Sequence, residues 1–123
     1  MKKHILIIDD EESLLNSMKS NLRGLMDKYE VYTSSKSADI LNLIENYAID
    51  LLITDLLMPE KEGIELIQEV RKKYPLLRII AMSGGGLIDR ELCLDVALKL
   101  GASSCLEKPF TREELITKIE QEF

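Results

Sequence analysis

Ile5-Leu6-Ile7-Ile8-Asp9-Asp10-Glu11-Glu12 sets a short apolar run directly against four acids. A continuous run of Ile and Leu reads as a strand buried on both faces, the pattern of a parallel sheet. From Glu11 the period changes: Leu14, Met18, Leu22 and Leu25 recur at helical steps. This is an amphipathic helix with Glu11 and Glu12 in its first turn, where the helix dipole favours acids. The strand-then-charge pattern returns at Leu52-Ile53-Thr54-Asp55 and at Leu106-Glu107-Lys108-Pro109. Side by side in one sheet, these strands bring three carboxylates and one ammonium to the same edge.

Working outward, Glu30 to Thr33 is a short strand near the sheet edge, and Ser34 and Ser35 are placed to cap a helix striped by Ala38, Ile40, Leu41 and Ile44. That helix ends near Tyr47. Leu51 to Thr54 is a buried strand, and Leu56 to Glu62, broken by Pro59, is a loop before Gly63. Ile64, Ile67, Val70 and Tyr74 mark a third helix stopped by Pro75. Leu77 to Met82 is strand four, followed by the turn Ser83-Gly84-Gly85-Gly86. A fourth helix spans Ile88 to Leu100 and closes at Gly101. Ser103 to Leu106 is strand five, and Thr111-Arg112-Glu113-Glu114 is a capping box opening a last helix through Leu115, Ile116 and Ile119. Five alternating β-α units imply α/β architecture: a flavodoxin-like, doubly wound five-stranded parallel sheet of order 2-1-3-4-5, with five helices in three α/β/α layers. Strands one and three then meet at the switch point, where ligands bind beyond the carboxyl ends.

With 123 residues, 46% of them hydrophobic, the chain is expected to form one domain over 1–123. A net charge of -6 argues against direct nucleic-acid binding, which needs basic patches. Cys93 and Cys105 show neither metal-ligand spacing nor disulfide-scaffold density, which points to a reducing compartment, with Cys93 packed on a helix as a free thiol. The N-terminus carries too short an apolar run for a signal peptide, and no run is long enough for a membrane helix. The expectation is a soluble, cytoplasmic protein with no membrane contact.

An unneutralised carboxylate cluster is unfavourable by several kcal/mol or takes up protons. A hard divalent cation with oxygen ligands relieves it, and Mg2+ also recruits phosphate oxygens. Asp55 is followed by no immediate helix, so it is a poor cap and reads as a nucleophile able to form an aspartyl phosphate. Asp10 reads as a direct metal ligand, with Asp9 acting directly or through a water. Lys108, between a buried strand and a proline, reads as the counter-charge to phosphate, and Ser83 as a hydroxyl donor to a phosphoryl oxygen. His4, the only histidine, falls at the opposite sheet edge and reads as surface. Walker, dinucleotide and zinc motifs are absent.

These residues resemble the receiver domain of two-component response regulators, over all five β-α units. The acidic pair Asp9 and Asp10, the run Asp55-Leu56-Leu57-Met58-Pro59 with Gly63, Ser83 with Gly84, and Lys108-Pro109 match that family in order. The resemblance implies that Asp55 accepts a phosphoryl group from a sensor histidine kinase or histidine phosphotransfer protein. It implies Mg2+ (or Mn2+) held by Asp10, Asp55 and the backbone carbonyl of Leu57, and a phosphate-binding set of Ser83, Gly84 and Lys108. It also implies a cis peptide before Pro109 and a changed face on the fourth helix, strand five and the last helix for a downstream protein target. Cys105 stands where the family usually carries a switching aromatic. The stretch from Ser83 to Gly101 runs longer than the family pattern, and its glycines are expected to be mobile before phosphorylation. An alternative is a receiver-like adaptor that binds constitutively. A turnover phosphohydrolase is disfavoured, because Leu57 stands where such enzymes need a second acid, leaving only slow self-dephosphorylation. The last helix ends close to Phe123, which fits either a stand-alone switch or a piece of a longer regulator.

Overall fold

A computed structural model describes residues 2–56, 63–83, 95 and 98–123, with the backbone alone at 63 and 64. Its elements are β1 (Lys3–Ile8), α1 (Glu12–Asn21), a 3-10 turn (Arg23–Leu25), β2 (Tyr29–Ser34), α2 (Ile40–Asn46), β3 (Leu51–Asp55), α3 (Gly63–Lys73), β4 (Arg78–Ser83), β5 (Ser104–Glu107) and α4 (Arg112–Glu122). All strand pairs are parallel, in the order β2-β1-β3-β4-β5, as expected. Asp95, Leu98 and Lys99 are helical, in keeping with the expected fourth helix; Leu100 is already in a turn, and the remaining residues of that helix lie outside the described ones.

The sheet is buried on both sides because alternate side chains serve opposite cores. Leu6, Ile8 and Leu52 pack with Ile40, Ile44, Leu66, Ile67 and Val70 of α2 and α3. Ile5, Ile7 and Ile53 pack with Leu15 and Met18 of α1, with Leu22 just beyond its end, and with Leu115 and Ile119 of α4. This two-sided demand explains why β1 and β3 carry continuous apolar runs rather than alternation.

Two expectations need correction. Ser34 and Ser35 do not cap the second helix, which begins only at Ile40 with Asp39 as its N-cap and no side-chain cap bond. Ser34 Oγ instead closes a local turn, accepting from the Lys36 N–H at 3.2 Å and donating to the Lys36 carbonyl at 3.1 Å. Serine hydroxyls compete for nearby backbone groups, and here the turn prevails, leaving Ala38 exposed and outside the helix. Cys105 is also not a free thiol: it is disulfide-bonded, whereas Cys93 lies outside the described residues. The other end signals hold. Thr111 and Glu114 complete a reciprocal capping box, and Gly101 sits at φ +93 beyond Leu98, whose carbonyl accepts its N–H at 3.1 Å.

Candidate phosphoacceptor and metal site

Backbone pairing continues past the strand ends and carries the loops with it. The Asp9 N–H donates to the Ser34 carbonyl at 3.3 Å, the Leu56 N–H to the Met82 carbonyl at 3.0 Å, and the Lys108 N–H to the Ser83 carbonyl at 3.0 Å. The carboxyl ends of β1, β3, β4 and β5 are thereby held level. Asp9, Asp55 and Ser83 are all buried at this rim, while Asp10 is exposed.

Asp9, Asp10 and Asp55 each offer a carboxylate oxygen, and these oxygens all lie within 4.8 Å of one another. The Lys108 ammonium reaches Asp9 Oδ2 at 2.5 Å and Asp55 Oδ2 at 3.0 Å, although Asp9 and Lys108 are 99 residues apart in the chain. Asp9 Oδ1 accepts the Glu11 N–H at 2.9 Å, so Asp9 also closes the turn into α1. Burial lowers the Lys108 pKa, but its hydrogen bonds to Asp9 and Asp55 and their charges outweigh this, and the net value is raised. The Asp10 pKa is raised, first by partial desolvation and then by the charge of Asp9. The Ser83 hydroxyl oxygen is buried and has no hydrogen-bond partner among the described residues.

The structure thus brings together Asp9, Asp10, Asp55 and Lys108, with Ser83 on the adjoining strand end. Leu57 and Gly84 lie outside the described residues, as does the glycine turn. The Lys108–Pro109 peptide is cis. His4 lies toward the other end of β1. Its N–H donates to Asp50 Oδ2 at 2.8 Å, and its ring Nδ1 is 2.7 Å from the Tyr47 carbonyl.

The donor set fits a hard divalent cation, since three carboxylate oxygens converge, with no histidine or cysteine beside them among the described residues. One feature escaped the sequence reading. A groove of about 600 Å3, lined by Leu14, Met18, Lys108, Pro109 and Phe110 among others, opens between α1 and the loop after β5. Its walls come from distant segments, so no local pattern announces it.

Comparison with known proteins gives the family and the fold. The family model of the response regulator receiver domain matches residues 5–120. A response regulator receiver domain protein from Clostridium thermocellum is 33% identical with a TM-score of 0.83, covering 98% of this chain and 93% of that one. A CheY-like receiver domain protein from Methanospirillum hungatei is 30% identical with a TM-score of 0.84, covering 99% and 94%. The chemotaxis response regulator CheY4 of Vibrio cholerae, 23% identical over the whole of both chains with a TM-score of 0.84, shares the fold.

Proposed function

Because the chain belongs to the response regulator receiver family, matching its model over residues 5–120, we propose that it is a phosphoryl-accepting switch of a two-component or phosphorelay system. In this reading Asp55 is the phosphoacceptor, and residues 1–123 act as one receiver domain. The observation that carries it is the convergence of Asp9, Asp10 and Asp55 within 4.8 Å under the Lys108 ammonium.

A carboxylate oxygen of Asp55 attacks the phosphorus of a phosphohistidine on a sensor kinase or phosphotransfer protein. The new O–P bond forms as the N–P bond breaks, and the imidazole nitrogen leaves with the electron pair. Asp10, Asp55, Asp9 (directly or through a water) and the Leu57 carbonyl would hold Mg2+, with Mn2+ as a substitute. The bound metal supplies charge neutralisation for the transferred group. Lys108 releases Asp55 to grip a phosphoryl oxygen, and the Ser83 hydroxyl donates to another, with Gly84 beside it. The groove beside Lys108 and Phe110 is the surface on which the donor's helix would seat. Output passes through the face of the expected fourth helix, β5 and the last helix, α4, to a protein target, in the cytoplasm and without nucleic-acid contact. Chemistry is limited to self-phosphorylation and slow self-dephosphorylation.

A second reading, a constitutive adaptor, draws on Cys105, which is disulfide-bonded where the family resemblance expects a mobile aromatic. One experiment separates the two. Incubation with a small phosphodonor and Mg2+, followed by intact mass measurement, adds one phosphoryl group to the wild type and none to Asp55→Asn. No gain in the wild type leaves the adaptor; an equal gain in both moves the nucleophile elsewhere.

A further inference from the structure

Cys105 lies within β5 and is disulfide-bonded. β5 is an edge strand whose one neighbour in the sheet is β4. In that pairing Cys105 is the partner of Ala81, two residues before Ser83 meets Glu107. The bond therefore sits close below the rim that carries Ser83 and Lys108. The Cys105 side chain packs against the core shared with α2 and α3, whose cluster includes Ala81 and Ala102. It is only half-buried. The chain holds one other cysteine, Cys93, twelve positions earlier, in the stretch whose sequence reads as the fourth helix.

The fold does not depend on this bond. Two cores, one on each face of the sheet, already bury Ile, Leu and Val side chains, whereas disulfides are needed where a core is too small. A crosslink over twelve positions also constrains the unfolded chain less than one over a long loop. In the reducing compartment expected for so cysteine-poor a chain, disulfides are transient and redox-sensing rather than structural. Partly exposed bonds are the labile ones.

We propose that Cys93 and Cys105 form a reversible redox site, closed by low-molecular-weight disulfides such as oxidised glutathione and opened by the corresponding thiols. Closure takes two exchanges. One protein thiolate attacks a sulfur of the small disulfide, forming a mixed disulfide and expelling a small thiolate. The second protein thiolate attacks the protein sulfur of that mixed disulfide and expels the other. Two protein thiols are oxidised, one small disulfide is reduced, and the two departing thiolates take up the protons that the protein thiols lose. The consequence for output rests on the receiver reading above. The closed bond ties β5 to the fourth helix, two elements of the output face, at the position where the family carries its switching aromatic. The oxidised chain holds that face in one arrangement, as a constitutive adaptor does; the reduced chain rearranges it when Asp55 is phosphorylated. Asp9, Asp10, Asp55, Ser83 and Lys108 take no part in the bond, so phosphoryl acceptance is the same in both states.

The full chain is equilibrated in glutathione buffers of graded thiol-to-disulfide ratio, quenched with an alkylating reagent, and read by intact mass and peptide mapping. The expected result is one transition of a monomer. The open form carries two labels; the closed form carries none, lacks two hydrogens, and maps with residues 93 and 105 joined. Cys93→Ser and Cys105→Ser each abolish the transition, and Asp55→Asn leaves it unmoved, so this arm is independent of the receiver reading. Hydrogen exchange at the β5 amides, with and without phosphodonor and Mg2+, reads the consequence. It changes about tenfold on phosphorylation of the reduced protein and not at all in the oxidised one, with the same phosphoryl gain in both. Cys93→Ser responds as the reduced protein does, even in oxidising buffer. A bond that stays closed in the most reducing buffer overturns the redox site. So do thiols that stay open in the most oxidising buffer, or a link between two copies. Equal exchange responses in both states, with the phosphoryl gain intact, overturn its control of output. No phosphoryl gain in either state overturns that control together with the receiver reading, while the titration alone decides the redox site.

Discussion

Replacing Lys108 with methionine removes the ammonium and keeps most of the aliphatic stem, which isolates the charge. Asp9 and Asp55, with side chains 1% and 8% exposed, then lose the cation at 2.5 and 3.0 Å. Two like unit charges at the 4.8 Å bound repel by about 3.5 kcal/mol at an effective dielectric of about 20. The expected loss is therefore about 2–4 kcal/mol at pH 7.5 without metal. In the wild type the Lys108 pKa is raised, so its contribution is complete below about 10.4 and fades only at higher pH. Saturating Mg2+ should restore about 2.7 kcal/mol at a hundredfold excess over Kd, and more to the variant than to the wild type, whose ligands Lys108 already holds. Urea unfolding at pH 7.5, with and without Mg2+, reads both effects. A metal-free loss below about 0.5 kcal/mol at pH 7.5, within the range of ordinary surface substitutions, refutes the reasoning. Equal Mg2+ gains in both proteins do so as well.

The remaining predictions concern the same rim and one distant turn. Because the Asp10 pKa is raised, protons compete with Mg2+ at a higher pH than at an ordinary carboxylate; affinity by calorimetry should fall as pH drops toward 5, and a flat profile would remove Asp10 from the ligand set. Ser83→Ala deletes a buried hydroxyl that has no partner among the described residues, so stability should stay within about 1 kcal/mol of wild type while phosphoryl acceptance slows; a large stability loss would mean that the hydroxyl is already engaged. Gly101→Ala places a Cβ at φ +93 and 3.0 Å from Arg71 Nε, costing about 1–2 kcal/mol. A thermal midpoint equal to wild type would show that the turn can relax.

Much of the fold was legible because its signals are local. Continuous apolar runs flag strands buried on two faces, three- and four-residue steps flag helices, and Thr111-Glu114 and Gly101 mark helix ends through neighbours a few residues away. The second helix shows the limit. Ser34 had the right chemistry for a cap, but its hydroxyl was taken by Lys36 two residues on, a competition that composition does not rank. Cys105 shows another, since a cysteine's bonding partner is set by proximity in space.

The order of strands, the acidic rim and the identity of its members were thus contained in the chain itself, since burial periodicity and charge position are properties of short segments. Which of the adjacent acids Asp9 and Asp10 would be buried was not. Tertiary structure decided it: β2 draws the Asp9 backbone into the ladder, and Lys108 arrives from 99 residues away to pair with its carboxylate. The groove beside Phe110 belongs to the same class. It is built from segments whose approach is governed by the packing of two cores, and a contact between distant segments leaves no period for a sequence to display.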